Sequence, residues 1–421
     1  MARNMKDSGI EWIGEIPEGW TKNKVIRLFD TIGSGTTPKN ITSDFPVVNW
    51  IQSGDITGSF MPTCKNVISA NLLSQYSALK VYPAPFIIIA MYGASVGNAS
   101  ISLIDGCVNQ ACCVLFSPSC NLHYAFYVIK SAQSYLIRKA VGGGQPNISQ
   151  ETIKQLWLPL PPLSTQDIIV RNLDATCSKI DDLLISVRSS IEEYKKLKQA
   201  VITQAVTKTI YDDFGNPSKF RKLRSLCDVL SKGTTPKDIE TQNDEFYCIR
   251  YLKSENIVSN QLNLNPTFFI TAETNNSLER SKLNSGDILF VIAGASIGKV
   301  AITTADFLPA NTNQAVAFIR LSSSYQYATK YIWYFLQSDV VKQLIALSAV
   351  QSAQPNLSLE DLGAMRLPLP DQMGCLKITD YLDAKCAEID GLVAKKEQLV
   401  KELESYKKSL IYEVVTGKRE V

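Results

Sequence analysis

The 421-residue chain carries the same six motifs twice, in the same order, and an ordered internal repeat constrains architecture before any local propensity does. Gly35-Thr36-Thr37-Pro38-Lys39 returns as Gly233-Thr234-Thr235-Pro236-Lys237. The stretch around Phe45, Trp50, Ser53 and Ile56 returns around Phe246, Tyr251, Ser254 and Ile257. Gly93-Ala94-Ser95-Val96-Gly97 is matched by Gly294-Ala295-Ser296-Ile297-Gly298, and Asn109-Gln110-Ala111 by Asn313-Gln314-Ala315. An aromatic helical pattern (Tyr124, Phe126, Tyr127; Tyr331, Trp333, Tyr334) comes next, then Gln145-Pro146-Asn147-Ile148-Ser149 against Gln354-Pro355-Asn356-Leu357-Ser358. The offset between copies grows from 198 to 209 residues, as a few small insertions would produce.

Within each copy, short strands punctuated by Gly, Pro, Asn and Asp precede the aromatic helix. Phe86 to Ala90 and Asp287 to Val291 read as buried strands entering the Gly-Ala-Ser-x-Gly turns. The aromatic helices read as core.

Each copy then changes character after a proline run, Leu158-Pro159-Leu160-Pro161-Pro162 in the first, because proline cannot continue a ladder or a helix. From there Leu173, Cys177, Ile180, Leu184, Val187, Ile191, Tyr194, Lys198, Val201 and Ala205 alternate steps of four and three, the seam of a coiled coil. Leu382, Cys386, Ile389, Val393, Lys396, Val400, Leu403, Lys407, Leu410 and Val414 repeat it 209 residues later. The expected fold is α+β: two similar globular α/β domains joined by two long antiparallel coiled-coil helices, an internal repeat with pseudo-twofold character. Its segments are 1–162 and 213–370 (globular) and 163–212 and 371–421 (helical). A helix of about 35 residues spans roughly 50 Å, so the pair reads as a spacer. Lys198 and Lys407, at equivalent seam positions, read either as register-setting lysines or as snorkelling side chains.

Composition is that of an ordinary globular protein, 45% hydrophobic and 20% charged. No apolar run approaches the roughly 20 residues of a membrane-spanning helix, and the first residues lack a signal-peptide core, so a cytoplasmic location is expected. Ten scattered cysteines without a Cys-x-x-Cys pair fit reduced thiols and no metal site. The net charge of +3 is small, so any affinity for DNA has to come from local patches or partner subunits.

In order and duplication these motifs resemble the specificity subunits of Type I restriction-modification systems, over essentially the whole chain. The resemblance includes the opening Ile10-Glu11-Trp12-Ile13-Gly14-Glu15-Ile16-Pro17-Glu18-Gly19-Trp20, the Gly-Thr-Thr-Pro turns, the Gln-Pro-Asn blocks, Leu-Pro-Leu-Pro before each helix, and the closing Tyr406-Lys407-Lys408-Ser409-Leu410-Ile411 with Val415-Thr416-Gly417-Lys418. It implies that each globular segment is a target-recognition domain reading one half of a bipartite double-stranded DNA sequence. It also implies that the helices set the gap and dock two adenine methyltransferase subunits, which restriction subunits join. S-adenosylmethionine, ATP and Mg are then expected in partner subunits, with no cofactor in this chain. The second linker, Pro370-Asp371-Gln372-Met373-Gly374, departs from the family pattern, which leaves the start of its helix open.

A search for chemistry in the chain itself fails. The only Pro-Pro, Pro161-Pro162, lies between leucines rather than in an amino-methyltransferase loop. Gly294 to Lys299 falls short of a phosphate loop, since Ala293 stands where a glycine is needed and Val300 replaces Ser/Thr. The single histidine, His123, has no duplicate and reads as packing. A non-catalytic subunit is expected. The alternative reading is an adaptor whose two globular ends bind proteins.

Base edges are read by Asn, Gln, Arg and Lys, whereas phosphate contacts only position a domain. Glycine turns let backbone N–H groups approach phosphates. The turns at 93–98 and 294–299, with Lys39 and Lys237, are therefore candidates for the DNA-facing side, including Ser95 and Ser296. Residues identical in both halves cannot read different half-sites, so Asn109, Gln110, Gln145, Asn147, Asn313, Gln314, Gln354 and Asn356 are assigned to the framework. Divergent candidates for base reading are Lys65, Tyr92, Asn98 and Arg138, then Arg250, Lys253, Arg280 and Lys299.

Overall fold

The computed structural model describes residues 4–39, 41–140, 146–207, 219–349 and 356–421. It divides into two compact units, one of residues 1–186 and 399–421, the other of residues 187–398. Each unit thus holds one globular domain, the start of one long helix and the end of the other.

In the first unit, Cys112–Phe116 lies at the heart of a sheet, antiparallel to both Thr31–Ser34 and Phe86–Ala90; the sheet continues antiparallel to Ala99–Ser102 and ends on Phe60–Met61, which pairs parallel. Val114 stands opposite both Ile88 and Gly33, and every residue of Phe86–Ala90 is buried. Both faces of that strand are covered, which is why it reads as a continuous apolar run instead of alternating. A second sheet pairs Val47–Ile51 with Asn66–Ser69 antiparallel and with Cys107–Val108 parallel.

The second unit repeats this plan. Val316–Leu321 lies between Cys227–Lys232 and Ile288–Val291, with Val300–Ile302 beyond. Tyr247–Leu252 pairs with Phe269–Thr271 antiparallel and with Ala310–Thr312 parallel. The proline strands close each domain: Trp157–Leu160 against Thr21–Lys24, and Arg366–Leu369 against Lys219–Lys222.

The long helices run Leu163–Thr207 and Gln372–Val415, longer than the sequence estimate of about 35 residues. The second starts cleanly despite its divergent linker, because the Asp371 carboxylate accepts the Gly374 N–H at 2.8 Å and caps the first turn. The two helices meet antiparallel within each unit. In the first, Ile180 and Leu184 share a core cluster against which Val400 and Leu403 pack; in the second, Ile191 and Ile389 are buried, with Val187 and Val393 half-buried.

Neither seam lysine snorkels freely. Lys407 donates to both oxygens of Asp181 at 2.5 and 2.6 Å, and Lys198 to both of Asp390 at 2.7 and 2.6 Å. The aspartates are themselves 209 residues apart, so the cross-helix ion pair is duplicated. The sequence seam drifts at its end. Ile202 and Val206 are buried where Val201 and Ala205 were expected to be, and Ile411 and Val415 are buried with their seam neighbours Leu410 and Val414. A 3.6-residue helix rotates off a 3.5-residue repeat, and these last turns face a globular domain as well as a helix.

Candidate nucleic-acid interface

Four of the repeated motifs converge at one end of each central sheet. In the first unit the strand Phe86–Ala90 runs into Met91, whose N–H donates to the Ala111 carbonyl at 2.7 Å and whose carbonyl accepts the Ile148 N–H at 2.9 Å. Tyr92 bridges to Asn147. Gly93 and Gly97 both sit at φ +76°, which favours glycine at each, and a Cβ on Gly97 would lie 3.2 Å from the Gln133 side chain, a tight contact.

The Gly-Thr-Thr-Pro turn docks on the same knot. The Gly35 N–H donates to Asn109, and a Cβ on Gly35 would stand 1.6 Å from the Val108 carbonyl oxygen. The Thr37 hydroxyl donates to the Gln110 side chain at 2.5 Å.

The second unit reproduces the knot: Ile292 donates to Ala315 at 2.9 Å and accepts from Leu357 at 2.8 Å, Ala293 bridges to Asn356, and Gly294 and Gly298 sit at φ +88°. A Cβ on Gly233 would be 1.8 Å from the Thr312 carbonyl oxygen.

The shared polar residues split on inspection. Asn109 Oδ1 accepts the Ala111 N–H at 3.1 Å, a turn-holding bond. Its copy, Asn313 Oδ1, is buried with no hydrogen-bond partner among the described residues. Gln110, Asn147, Gln314 and Asn356 expose their side chains, and Gln145 and Gln354 lie outside the described residues.

Of the proposed DNA contacts, Tyr92, Ser95 and Asn98 share the first turn, and Ser296 and Lys299 the second. Asn98 accepts from the Gln133 amide. Lys39, Lys65, Arg138, Lys237, Arg280 and Lys299 are exposed. Two others are engaged inside their own domain. Arg250 donates to the Asp306 carbonyl at 2.7 Å, while the Lys253 ammonium sits 3.5 Å from the Phe268 ring centre and 3.8 Å from the Glu255 carboxylate.

Sequence reasoning missed the groups that fix each domain to its helices. The buried Tyr124 hydroxyl donates to the Pro159 carbonyl at 2.9 Å and the Val415 carbonyl at 3.2 Å; Tyr331 does the same to Pro368 at 2.6 Å and Val206 at 3.1 Å. One residue thus ties the aromatic helix to the proline strand and to the end of a long helix, in both units. One turn later, Tyr127 donates to Asp174 at 2.6 Å and Tyr334 to Asp383 at 2.8 Å. Burial, then the neighbouring carboxylate, raises both phenols well above the usual tyrosine range. The signal was present, since each tyrosine pair recurs three residues apart and the aspartate follows 47 residues after Tyr127 and 49 after Tyr334.

The opening and closing motifs form a clasp in the first unit. Lys418 donates to the Ile13 carbonyl at 2.8 Å, and Gly417, at φ +73°, leaves no room for a Cβ, which would lie 2.4 Å from Pro17. Among the described residues no helix is long and apolar enough to cross a membrane.

Comparison with known proteins agrees with this geometry. The family model for the Type I restriction modification DNA specificity domain matches residues 17–192 and again 216–401. The specificity subunit of the Type I restriction enzyme EcoBI of Escherichia coli is 26% identical over 358 residues, covering 79% of this chain and 74% of that one. That of MjaVIII of Methanocaldococcus jannaschii is 25% identical over 308 residues, covering 70% and 69%. In fold, the chain is similar to one from a structure concerned with complex assembly and conformational transition of the type I R-M system, with a TM-score of 0.74 at 15% identity, covering 96% of this chain and 99% of that one. It is also similar to an HsdS subunit from Thermoanaerobacter tengcongensis, with a TM-score of 0.52 at 16% identity, covering 96% and 98%.

Proposed function

The chain belongs to the Type I restriction modification DNA specificity family, whose role is DNA sequence specificity, and from that premise we propose that each globular domain reads one half of a bipartite double-stranded target. The observation that carries this reading is the repeated knot of glycine turns under divergent surroundings. A shared backbone frame holds side chains that differ between the copies, which is what reading two different DNA words requires. The adaptor alternative lacks any comparable support.

The finer parts of the proposal concern the assembly. The two long helices set the distance between half-sites and dock two methyltransferase subunits, with restriction subunits joining the complex in the cytoplasm. Adenine methylation and ATP-dependent cleavage then belong to those partners, together with S-adenosylmethionine, ATP and Mg. Exposed Lys39, Lys65, Arg138, Lys237, Arg280 and Lys299 supply phosphate and base contacts, and Tyr92, Asn98 and the backbone of the two glycine turns approach the duplex.

Inserting one heptad into each long helix at equivalent positions tests the spacer role. The methylated motif should keep its half-site letters and change its gap. An unchanged gap in an assembled, active complex would refute it.

A further inference from the structure

Phe45 and Phe246 are the most exposed large hydrophobic side chains among the described residues, at 89% and 75% of full exposure, and they occupy equivalent positions in the two copies. Phe246 directly precedes the first strand of the second sheet, Tyr247–Leu252, and Phe45 is one proline away from its counterpart, Val47–Ile51. Neither ring contributes to its own core. Isolated exposed apolar residues are ordinary on a protein surface, but here the same exposed ring recurs at the equivalent position of both copies.

The loops presenting them are held firmly. On either side of Phe45, the Thr42 carbonyl accepts the Ser69 N–H at 2.7 Å and the Pro46 carbonyl accepts the Ala70 N–H at 2.8 Å. At Phe246, Asp244 Oδ1 accepts the N–H of Phe246 at 2.8 Å and of Tyr247 at 2.6 Å. Different sequences thus fix the backbone and leave the same ring outside. Beside Phe45, Val47 and Val67 are exposed too, and the strand register puts them on one face.

Charge distinguishes the two candidate occupants. Exposed Asp44 adjoins Phe45 and exposed Glu245 adjoins Phe246, while Lys39 and Lys237, assigned above to DNA, stand six and nine residues earlier. A duplex would bring phosphates against these carboxylates. A residue identical in two domains also cannot distinguish two half-sites, whereas two identical protein partners each need the same contact.

We propose that Phe45 and Phe246 are the anchor side chains by which each globular domain receives one methyltransferase subunit, the ring entering an apolar pocket with a basic rim. This rests on the specificity-subunit reading above. Buried aromatic anchors carry a large share of binding energy at protein interfaces.

The test uses the full chain and its cognate methyltransferase subunit, with native mass spectrometry for stoichiometry and titration for affinity. Phe45→Ser and Phe246→Ser should each weaken one of two binding events by roughly tenfold or more, with unchanged melting temperature because the rings are exposed. Phe45→Leu should restore most of the affinity. Glu245→Lys should weaken subunit binding; a DNA-facing loop would instead show stronger DNA binding with subunit binding unchanged. Serine variants that bind the subunit like the natural chain overturn the proposal, as do variants that lose only DNA affinity. If the natural chain itself captures no methyltransferase subunit, the specificity-subunit reading fails rather than the choice of anchor.

Discussion

In the first unit the aromatic helix is tied at position 130 by a lysine, whose ammonium donates to the Gly58 carbonyl. In the second, the equivalent residue is Gln337, whose side-chain oxygen accepts from Asn260 at 2.8 Å. The enclosed Lys130 ammonium is held below the usual lysine range, by burial first and by Lys407 second. Three and six residues earlier, the two units are the same: Tyr127 and Tyr334 find an aspartate, Tyr124 and Tyr331 two backbone carbonyls. Chemistry is repeated where a domain is fixed to the helices and free to change where it meets its own loops. Backbone carbonyls are present whatever the sequence, so a tyrosine that binds them survives divergence around it.

The sharpest way to break the equivalence is to remove a group that only one unit has. Asp287, 1% exposed as a side chain, takes a two-bond grip from Arg320 at 2.9 and 2.7 Å. Asp287→Ala removes both of these bonds, leaving the partly exposed guanidinium only its bond to the Lys282 carbonyl, and should destabilise the second unit by about 3 kcal/mol. Hydrogen exchange should show loss of protection within residues 187–398 and little change in the first unit; uniform loss across the chain would mean the units do not open separately.

The latches come next. Tyr124→Phe and Tyr331→Phe each strip two buried carbonyls of a donor, at about 1–3 kcal/mol apiece. Chemical denaturation should find the two costs similar. A large cost at one and none at the other would show that only one latch bears on stability.

Alkaline pH should weaken both units together. Burial pushes the thiols of Cys112 and Cys113 in the first unit, and of Cys227 and Cys375 in the second, up to about 12 from 9.0. The folded state therefore keeps protons that the unfolded state releases, so stability is full below pH 9 and falls as pH rises from 9 toward 12. The melting temperature under reducing conditions should drop between pH 8 and pH 10; a flat profile would contradict the burial of these groups. The smallest effect belongs to the cross-helix pairs: Lys198→Ala and Lys407→Ala should each cost about 1 kcal/mol or less by thermal melting.

Much of this fold was legible because the chain is its own comparison. The repeat gave the two domains and the heptads gave the helices. Ile202 and Val206 escaped because a heptad count assumes one partner, while the last turns of each helix serve two. The Tyr124 and Tyr331 latches escaped for another reason: their acceptors, Pro159 with Val415 and Pro368 with Val206, are backbone atoms distant in sequence, and no side-chain pattern encodes a carbonyl. At the candidate interface, the glycine turns were legible from spacing. The engagement of Lys253 with Phe268 and Glu255 was not, because which lysines fold inward depends on tertiary neighbours.

The central claim is that a shared frame carries two different DNA readers. Methylome sequencing of cells expressing this chain with its cognate methyltransferase tests it most directly. The account predicts a gapped, asymmetric motif with adenine methylated in each half; a single ungapped motif, or two identical half-sites, would contradict it.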